Sequence, residues 1–266
     1  MKRFLTVVAP VIVVAALAAA TAQPAAPPTM HPGELVVGFD PPAVGFVSGT
    51  VRGSKILNPK GYEVDVASAI AKGLGLKPVW IRSPWTKLFA PGTKDFDISF
   101  QEATITAQRN RTVDFTTPYF NANQGILVSR NTTPPKSLAD LRKLQTCAQT
   151  DTTGLDWIKS KLHPSKQPLI YQTTVAAFTA VHVNRCEALV LDVPIIASEK
   201  KARPTAYGSV AGQVVTNEKY GGVLPNNSKL KPMVDAQINR LWETGKIQAL
   251  QKKWFAIDFS KVPTLK

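Results

Sequence analysis

Short β-rich apolar runs alternate with amphipathic helical segments along most of this chain, and that alternation argues an α/β fold. Leu35-Val36-Val37-Gly38-Phe39 reads as a buried strand ending at Asp40. Residues 41–60 read as a long Gly- and Pro-rich connection. A helix is predicted over Tyr62–Lys72, because Val66, Ile70 and Leu74 recur at helical spacing. Further strands are predicted at Pro78–Ile81, Phe96–Phe100, Ile126–Val128, Thr146–Gln149 and Ala188–Leu191. A helix over Val175–Val183 would take Thr174 as its cap, and Lys231–Thr244 is amphipathic and ends at Gly245.

The amino terminus has a different character. Lys2 and Arg3 precede an apolar run from Phe4 to Ala20, and Ala20-Thr21-Ala22 supplies a small-residue cleavage site. That layout reads as a secretory signal peptide over residues 1–22. The run is also nearly long enough to act as a membrane anchor. Residues 23–33 are Pro- and Ala-rich and read as a flexible leader. No cysteine lies near the cleavage site, which excludes a lipid-anchored product.

Removing Lys2 and Arg3 lowers the formal charge from +14 to +12, still strongly basic. The positive residues are scattered, with no dense basic run interleaved with aromatics. A solvated cationic surface is therefore expected, and no nucleic-acid partner. The 2 cysteines, Cys147 and Cys186, favour a disulfide in an exported protein, with buried free thiols as the alternative. They are too few for a structural zinc site, and no histidine is spaced to help.

Four predicted strand ends carry groups suited to ligand capture, where open α/β sheets bind their ligands. Asp40 ends the first strand; Glu102 and Thr104 follow Phe100; Thr152 and Thr153 follow Gln149; Asp192 ends the strand from Ala188. Arg109 offers a planar fork that fits a carboxylate, and the Thr104 hydroxyl can donate to the same group. Thr152-Thr153-Gly154 opens a predicted helix and could cradle an anion. Asp192, with Glu102, would hold a cation. A carboxylate pole and an ammonium pole together describe an α-amino acid. Each residue also has a plainer reading: Arg109 as a surface charge, Asp192, Thr152 and Thr153 as helix caps, and Trp85 as core. There is no phosphate loop, nucleophile elbow or metal-binding helix motif, so no catalytic residue, metal or cofactor is assigned.

Taken together, the motifs resemble the amino-acid-binding family of ABC-transporter solute-binding proteins. Gly61-Tyr62-Glu63-Val64-Asp65-Val66, Thr104-Ile105-Thr106-Ala107-Gln108-Arg109, Asp114-Phe115-Thr116-Thr117-Pro118-Tyr119 and Lys253-Trp254-Phe255 carry the likeness in order and spacing. The resemblance implies a two-lobed periplasmic-binding-protein fold of type II, joined by two crossing hinge strands. Lobe 1 would be 34–121 plus 218–266, and lobe 2 would be 122–217. It implies that Arg109 and Thr104, helped by Thr152 and Thr153, bind the ligand α-carboxylate. Asp192 would bind the α-ammonium, while Asp40 and Trp85 meet the side chain. The Cys147–Cys186 bridge becomes geometrically plausible if their strands are neighbours.

The sequence departs from the family pattern at Asp151, which adds negative charge beside the anion cradle, at Ala43, and at Glu102. Glu102 and Asp40 would make the side-chain end acidic and favour a cationic or strongly polar amino acid, unless a base such as Arg82 neutralises Glu102. The expected protein is an exported, periplasmic monomer that delivers its ligand to a membrane ABC permease and catalyses nothing. The alternative on the same fold is a dehydratase of the prephenate or arogenate type, with Glu102 as general acid if burial keeps it protonated.

Overall fold

The computed structural model describes residues 26–255 and 257–266. The signal peptide expected at 1–22 lies outside the described residues, as does the start of the leader.

Among the described residues, twelve strands and eight α-helices follow one another. The first part comprises β1 (Glu34–Phe39), β2 (Ser48–Arg52), β3 (Lys55–Lys60), α1 (Tyr62–Gly73), β4 (Lys77–Arg82), α2 (Trp85–Leu88), β5 (Ile98–Ser99) and β6 (Val113–Phe115). Then come β7 (Phe120–Val128), α3 (Leu138–Leu141), β8 (Thr146–Gln149), α4 (Thr153–Trp157), β9 (Leu169–Tyr171), α5 (Thr174–His182), β10 (Ala188–Asp192) and α6 (Val193–Ala202). The chain closes with β11 (Val210–Tyr220), β12 (Val223–Pro225), α7 (Lys231–Glu243) and α8 (Lys246–Trp254).

The strands form two sheets. A seven-stranded sheet has the order β2-β3-β4-β1-β5-β12-β6, and a five-stranded sheet has the order β11-β7-β10-β8-β9. β1 is parallel to both β4 and β5, so its end at Phe39 points into the same crevice as the end of β5. β10 is buried at every position and lies between β7 and β8, which explains its unbroken apolar run before Asp192.

β7 and β11 are the two long strands that run between the sheets, paired antiparallel from Phe120↔Tyr220 to Leu127↔Val210. Their register shifts between Val214 and Glu218. Asn123 Oδ1 accepts the N–H groups of Thr216 and Asn217, both at 3.0 Å, and so holds that irregularity in place. An aromatic cluster lies against the paired end of these strands: Phe46, Tyr62, Phe120, Tyr220 and Phe255 meet one another at ring separations of 4.7 to 6.2 Å. Tyr62 also donates its hydroxyl to the Tyr119 carbonyl at 2.8 Å.

Several expectations are corrected. The connection over 41–60 contains the β2–β3 hairpin, whose residues are mostly exposed and so lack an apolar alternation. The strand expected over Phe96–Phe100 is only Ile98–Ser99. α5 is capped one residue earlier than expected, by Thr173, whose hydroxyl accepts the Ala176 N–H at 3.1 Å. The C-terminal segment leaves the first sheet: Leu265 joins the core of Ile126, Val128 and Leu141, and Gln213 bonds Pro263 and Leu265.

Cys147 and Cys186 form a disulfide with Cα atoms 5.9 Å apart. Cys147 sits on β8, and Cys186 precedes β10, the parallel neighbour of β8.

Candidate functional site

The segment after β5 is the start of the site. Ile105 N–H donates to the Lys219 carbonyl at 2.9 Å, Gly221 N–H donates to the Ala103 carbonyl at 3.0 Å, and Thr104 bridges Tyr220. This pairing lays the Thr104 segment against the end of β11, so Glu218 arrives beside it. Thr104 Oγ1 donates to Glu218 Oε2 at 2.8 Å. Thr153, from the other side of the cleft, donates its hydroxyl to the same oxygen at 2.7 Å.

Asp192 occupies the position before α6, yet its side chain makes no cap bond. It instead accepts from Gln124 Nε2 on β7 and from the Tyr220 hydroxyl on β11, both at 2.5 Å. Gln124 Nε2 also reaches both oxygens of Glu218, at 3.2 and 3.1 Å. Asp192 is thus a member of a carboxylate network between the crossing strands, and the capping alternative falls.

Arg109 crosses the cleft. Its Nη1 donates to the Thr104 carbonyl at 2.7 Å, and its Nη2 donates to the Asp151 carbonyl at 2.8 Å. Its guanidinium lies 4.1 Å from the Phe89 ring and 5.3 Å from the Trp85 ring. Stacking and backbone bonds fix the plane of the fork and leave further N–H groups for an incoming anion. Trp85 makes a second crossing contact, Nε1 to the Thr150 carbonyl at 3.0 Å.

These residues enclose one small cavity of about 40 Å³, walled by Arg109, Thr104, Thr153, Asp192, Glu102 and Trp85 among others. A second cavity of about 240 Å³ shares Trp85, Gln101, Glu102, Gln149 and Thr174 with it and extends to Asp40 and Arg82. All eight sequence-selected residues therefore line one or other of two adjoining cavities. Thr152 and Asp40, and Asp151 beside the cleft, make further contacts of their own. The Thr152 hydroxyl donates to the Gln149 carbonyl at 2.8 Å and accepts the Leu155 N–H at 3.2 Å, so it is engaged as the α4 cap and contributes wall only. Asp151 presents its carbonyl to Arg109, while the residue itself is exposed. Asp40 accepts the Trp85 N–H at 3.0 Å and pairs with Arg82 at 3.4 Å, so Arg82 is not a partner of Glu102.

A model of the bacterial extracellular solute-binding proteins, family 3, matches residues 35–257. The chain belongs to this family. It is similar to the L-cystine-binding protein TcyJ of Escherichia coli (strain K12), 25% identical over 205 residues covering 76% of each chain. Among solved structures it is similar to an ancestral arginine-binding protein bound to glutamine (27% identity, TM-score 0.75, 85% of this chain and 100% of that chain). It is also similar to the ancestral amino acid-binding protein AncCDT-1, a precursor of cyclohexadienyl dehydratase (30% identity, TM-score 0.73, 84% of this chain and 95% of that chain). The two sheets and crossing strands are the two-lobed type II periplasmic-binding-protein fold.

The electrostatics of this family 3 site are set by burial. Burial pulls the Arg109 guanidinium down to about 10, against the attraction of Asp192 and Glu218, so it stays cationic at neutral pH. Burial and then repulsion from Glu218 push Asp192 up to about 7. Burial and then Glu63 push Glu102 well above the usual carboxylate range. Arg109 thus faces crowded carboxyl groups whose ionisation burial opposes and an added cation would favour.

Glu218, Gln124 and Glu63 were not singled out in the sequence. Gln124 sits in a polar stretch, and Glu218 lies two residues before Tyr220 on the same strand, the only local sign that both side chains share one face. Gly154 beside Thr153 is required by crowding, since a Cβ there would stand 2.7 Å from Gln124 Oε1 and 2.9 Å from the Val190 carbonyl oxygen. Among the described residues no group of three or more metal-ligating side chains occurs.

Proposed function

We propose that this protein captures a free α-amino acid, cationic or strongly polar, in the cleft and delivers it to a membrane ABC permease. The observation that carries this reading is the opposition of Arg109 and Asp192 across one small cavity. Arg109 takes the α-carboxylate through its fork, helped by the Thr104 and Thr153 hydroxyls turning from Glu218 to the ligand. Asp192 takes the α-ammonium, and Glu218 adds negative potential beside it. The side chain extends into the adjoining cavity past Trp85 toward Glu102 and Asp40. The names of the cystine- and arginine-binding relatives support the same ligand class.

In this reading the first lobe is 34–121 with 218 onward, apart from the C-terminal tail, and the second lobe is 122–217. The lobes close by hinge motion about β7 and β11. The protein is exported behind a cleaved signal peptide, works as a periplasmic monomer, and needs no cofactor and no reaction. Among the described residues no helix is long and apolar enough to cross a membrane. Thermal melting against a panel of amino acids tests the reading, because a ligand of the native state raises the melting temperature. Arginine, lysine or a similarly polar amino acid should raise it; a flat panel would reject the proposal.

One observation favours a second reading. Glu102 has a buried carboxyl oxygen, desolvation raises its carboxyl well above the usual range toward the protonated form a general acid needs, and AncCDT-1 is a precursor of cyclohexadienyl dehydratase. Incubation with prephenate decides: appearance of phenylpyruvate would make this protein a dehydratase.

A further inference from the structure

Glu63, on α1, and Glu102, in the turn after β5, are brought together by an unusual backbone. Glu102 adopts the left-handed region at φ 49°, and its N–H donates to Glu63 Oε1 at 2.8 Å. The Tyr119 hydroxyl donates to the same Glu63 oxygen. That leaves Glu63 Oε2 and Glu102 Oε1, both buried and both without a hydrogen-bond partner. Glu63 has no exposed surface at all.

Among the described residues no cation is ion-paired with either carboxyl group. Tyr62 from α1, Tyr119 before β7, Tyr220 from β11, Asp192 from β10 and Asp40 after β1 are the titratable groups that act on the pair most strongly, and all are acids or phenols. Arg109 lines the same small cavity as Glu102, but its guanidinium bonds the carbonyls of Thr104 and Asp151 and neither glutamate, and Arg82 pairs with Asp40. His182, Glu199 and Arg203 line a cavity of about 430 Å³ that Glu102 also borders, and Arg203 is paired with Glu199. Among the described residues neither Glu63 nor Glu102 has an ion-pair partner. Two adjoining buried carboxyl groups without a cation cannot both ionise, so the pair retains a proton. Glu102 is also a wall of all three cavities that meet at the cleft. The proton therefore sits where a ligand side chain arrives.

We propose that Glu63 and Glu102 form a proton-exchange element: in the unliganded cleft they share one proton, and the cationic side-chain group of the ligand replaces it. The proton goes to solvent, both glutamates become carboxylates, and the ligand cation faces Glu102. No bond other than the O–H is broken. The inference rests on the amino-acid reading above and adds to it a reason for selecting cations and a dependence of capture on pH.

Calorimetric titration in buffers of different ionisation enthalpy, at one pH near neutrality, counts the protons released. L-Arginine and L-glutamine are the probes, because both carry the same head groups and Asp192 responds alike to either. Arginine should release close to one proton more than glutamine, and its affinity relative to that of glutamine should rise by up to about tenfold per pH unit while the pair is protonated. In Glu102→Gln, whose amide can still bond Glu63, the excess should vanish and the pH dependence of arginine binding should fall to that of glutamine. Equal proton counts for the two ligands in the unmodified protein, or an excess that survives in E102Q, would overturn the exchange. Should E102Q bind no arginine, the unmodified protein's comparison of the two ligands decides alone. Binding of glutamine without arginine would overturn the exchange and leave the amino-acid reading standing; binding of no amino acid would overturn both.

Discussion

Arg109 Nη2 donates to the carbonyl oxygen of Asp151 at 2.8 Å and so ties the segment after β5 to the turn before α4, 42 residues away. With the ring of Phe89 beneath it at 4.1 Å, the guanidinium is held in one plane across the cleft. A lysine keeps the charge but loses the fork and the stacked plane. Arg109→Lys should therefore weaken amino-acid binding by about 100-fold or more, the scale of a lost charge-assisted bidentate contact in a buried site. Calorimetry measures it, with circular dichroism to check that the fold is kept.

Glu218 accepts from two hydroxyls that lie on opposite sides of the cleft, Thr104 and Thr153. Its repulsion is the second cause, after burial, of the raised Asp192 carboxyl. Glu218→Gln should weaken ligand binding roughly tenfold, by removing negative potential near the ammonium pole. It should also let Asp192 ionise more easily, moving the acid limb of the binding profile to lower pH. An affinity series over pH for both proteins reads both effects.

Asp192 is raised in the folded protein to about 7 and Glu63 is raised in the same direction, each first by burial. A raised carboxyl binds its proton more tightly in the native state than in the unfolded chain. Its contribution to stability is then complete below the unfolded carboxylate range near pH 4 and is lost as pH rises through the native value. Urea unfolding of the unliganded protein should give a lower stability contribution from these groups at about pH 8 than at about pH 5. Asp192→Asn should reduce that decline. A bound cation should also reduce it, because the cation stabilises the ionised form.

The Cys147–Cys186 bridge closes a sequence separation of 39 residues. Chain-entropy arithmetic for a loop of that size gives about 4 kcal/mol of stabilisation as a ceiling. The double variant Cys147→Ala, Cys186→Ala should lower the melting temperature by several degrees while leaving the ligand cavities, which neither cysteine lines, able to bind. Scanning calorimetry with and without a saturating amino acid checks both halves.

What could be read from the sequence followed strand ends. Asp40, Thr104, Thr152, Thr153 and Asp192 each follow or close a short apolar run, and β-sheet geometry brings such ends together, so local reading found them. It could not decide between cap and ligand contact: Thr152 proved to be engaged as a cap and Asp192 did not, because Gln124 and Tyr220 claim its oxygens. The groups that escaped notice come from long-range pairing. Glu218 reaches Thr104 across 114 residues and Gln124 across 94, through strands whose polar residues look like surface. Glu63 looked like a residue of an amphipathic helix and is fully buried. The β2–β3 hairpin escaped because its residues are mostly solvent-exposed, leaving Ile56 as its one fully buried anchor.

The central claim is that two opposed poles hold an α-amino acid by both head groups, and a ligand pair differing at one pole tests it most directly. Calorimetric titration with L-arginine and with agmatine, which keeps the guanidinium and an amine but has no carboxylate, isolates the Arg109 pole. Binding of arginine at least about 100-fold tighter than agmatine, with the difference removed in Arg109→Ala, is the expected result. Equal affinities for the two, or a difference that persists in Arg109→Ala, would contradict the account.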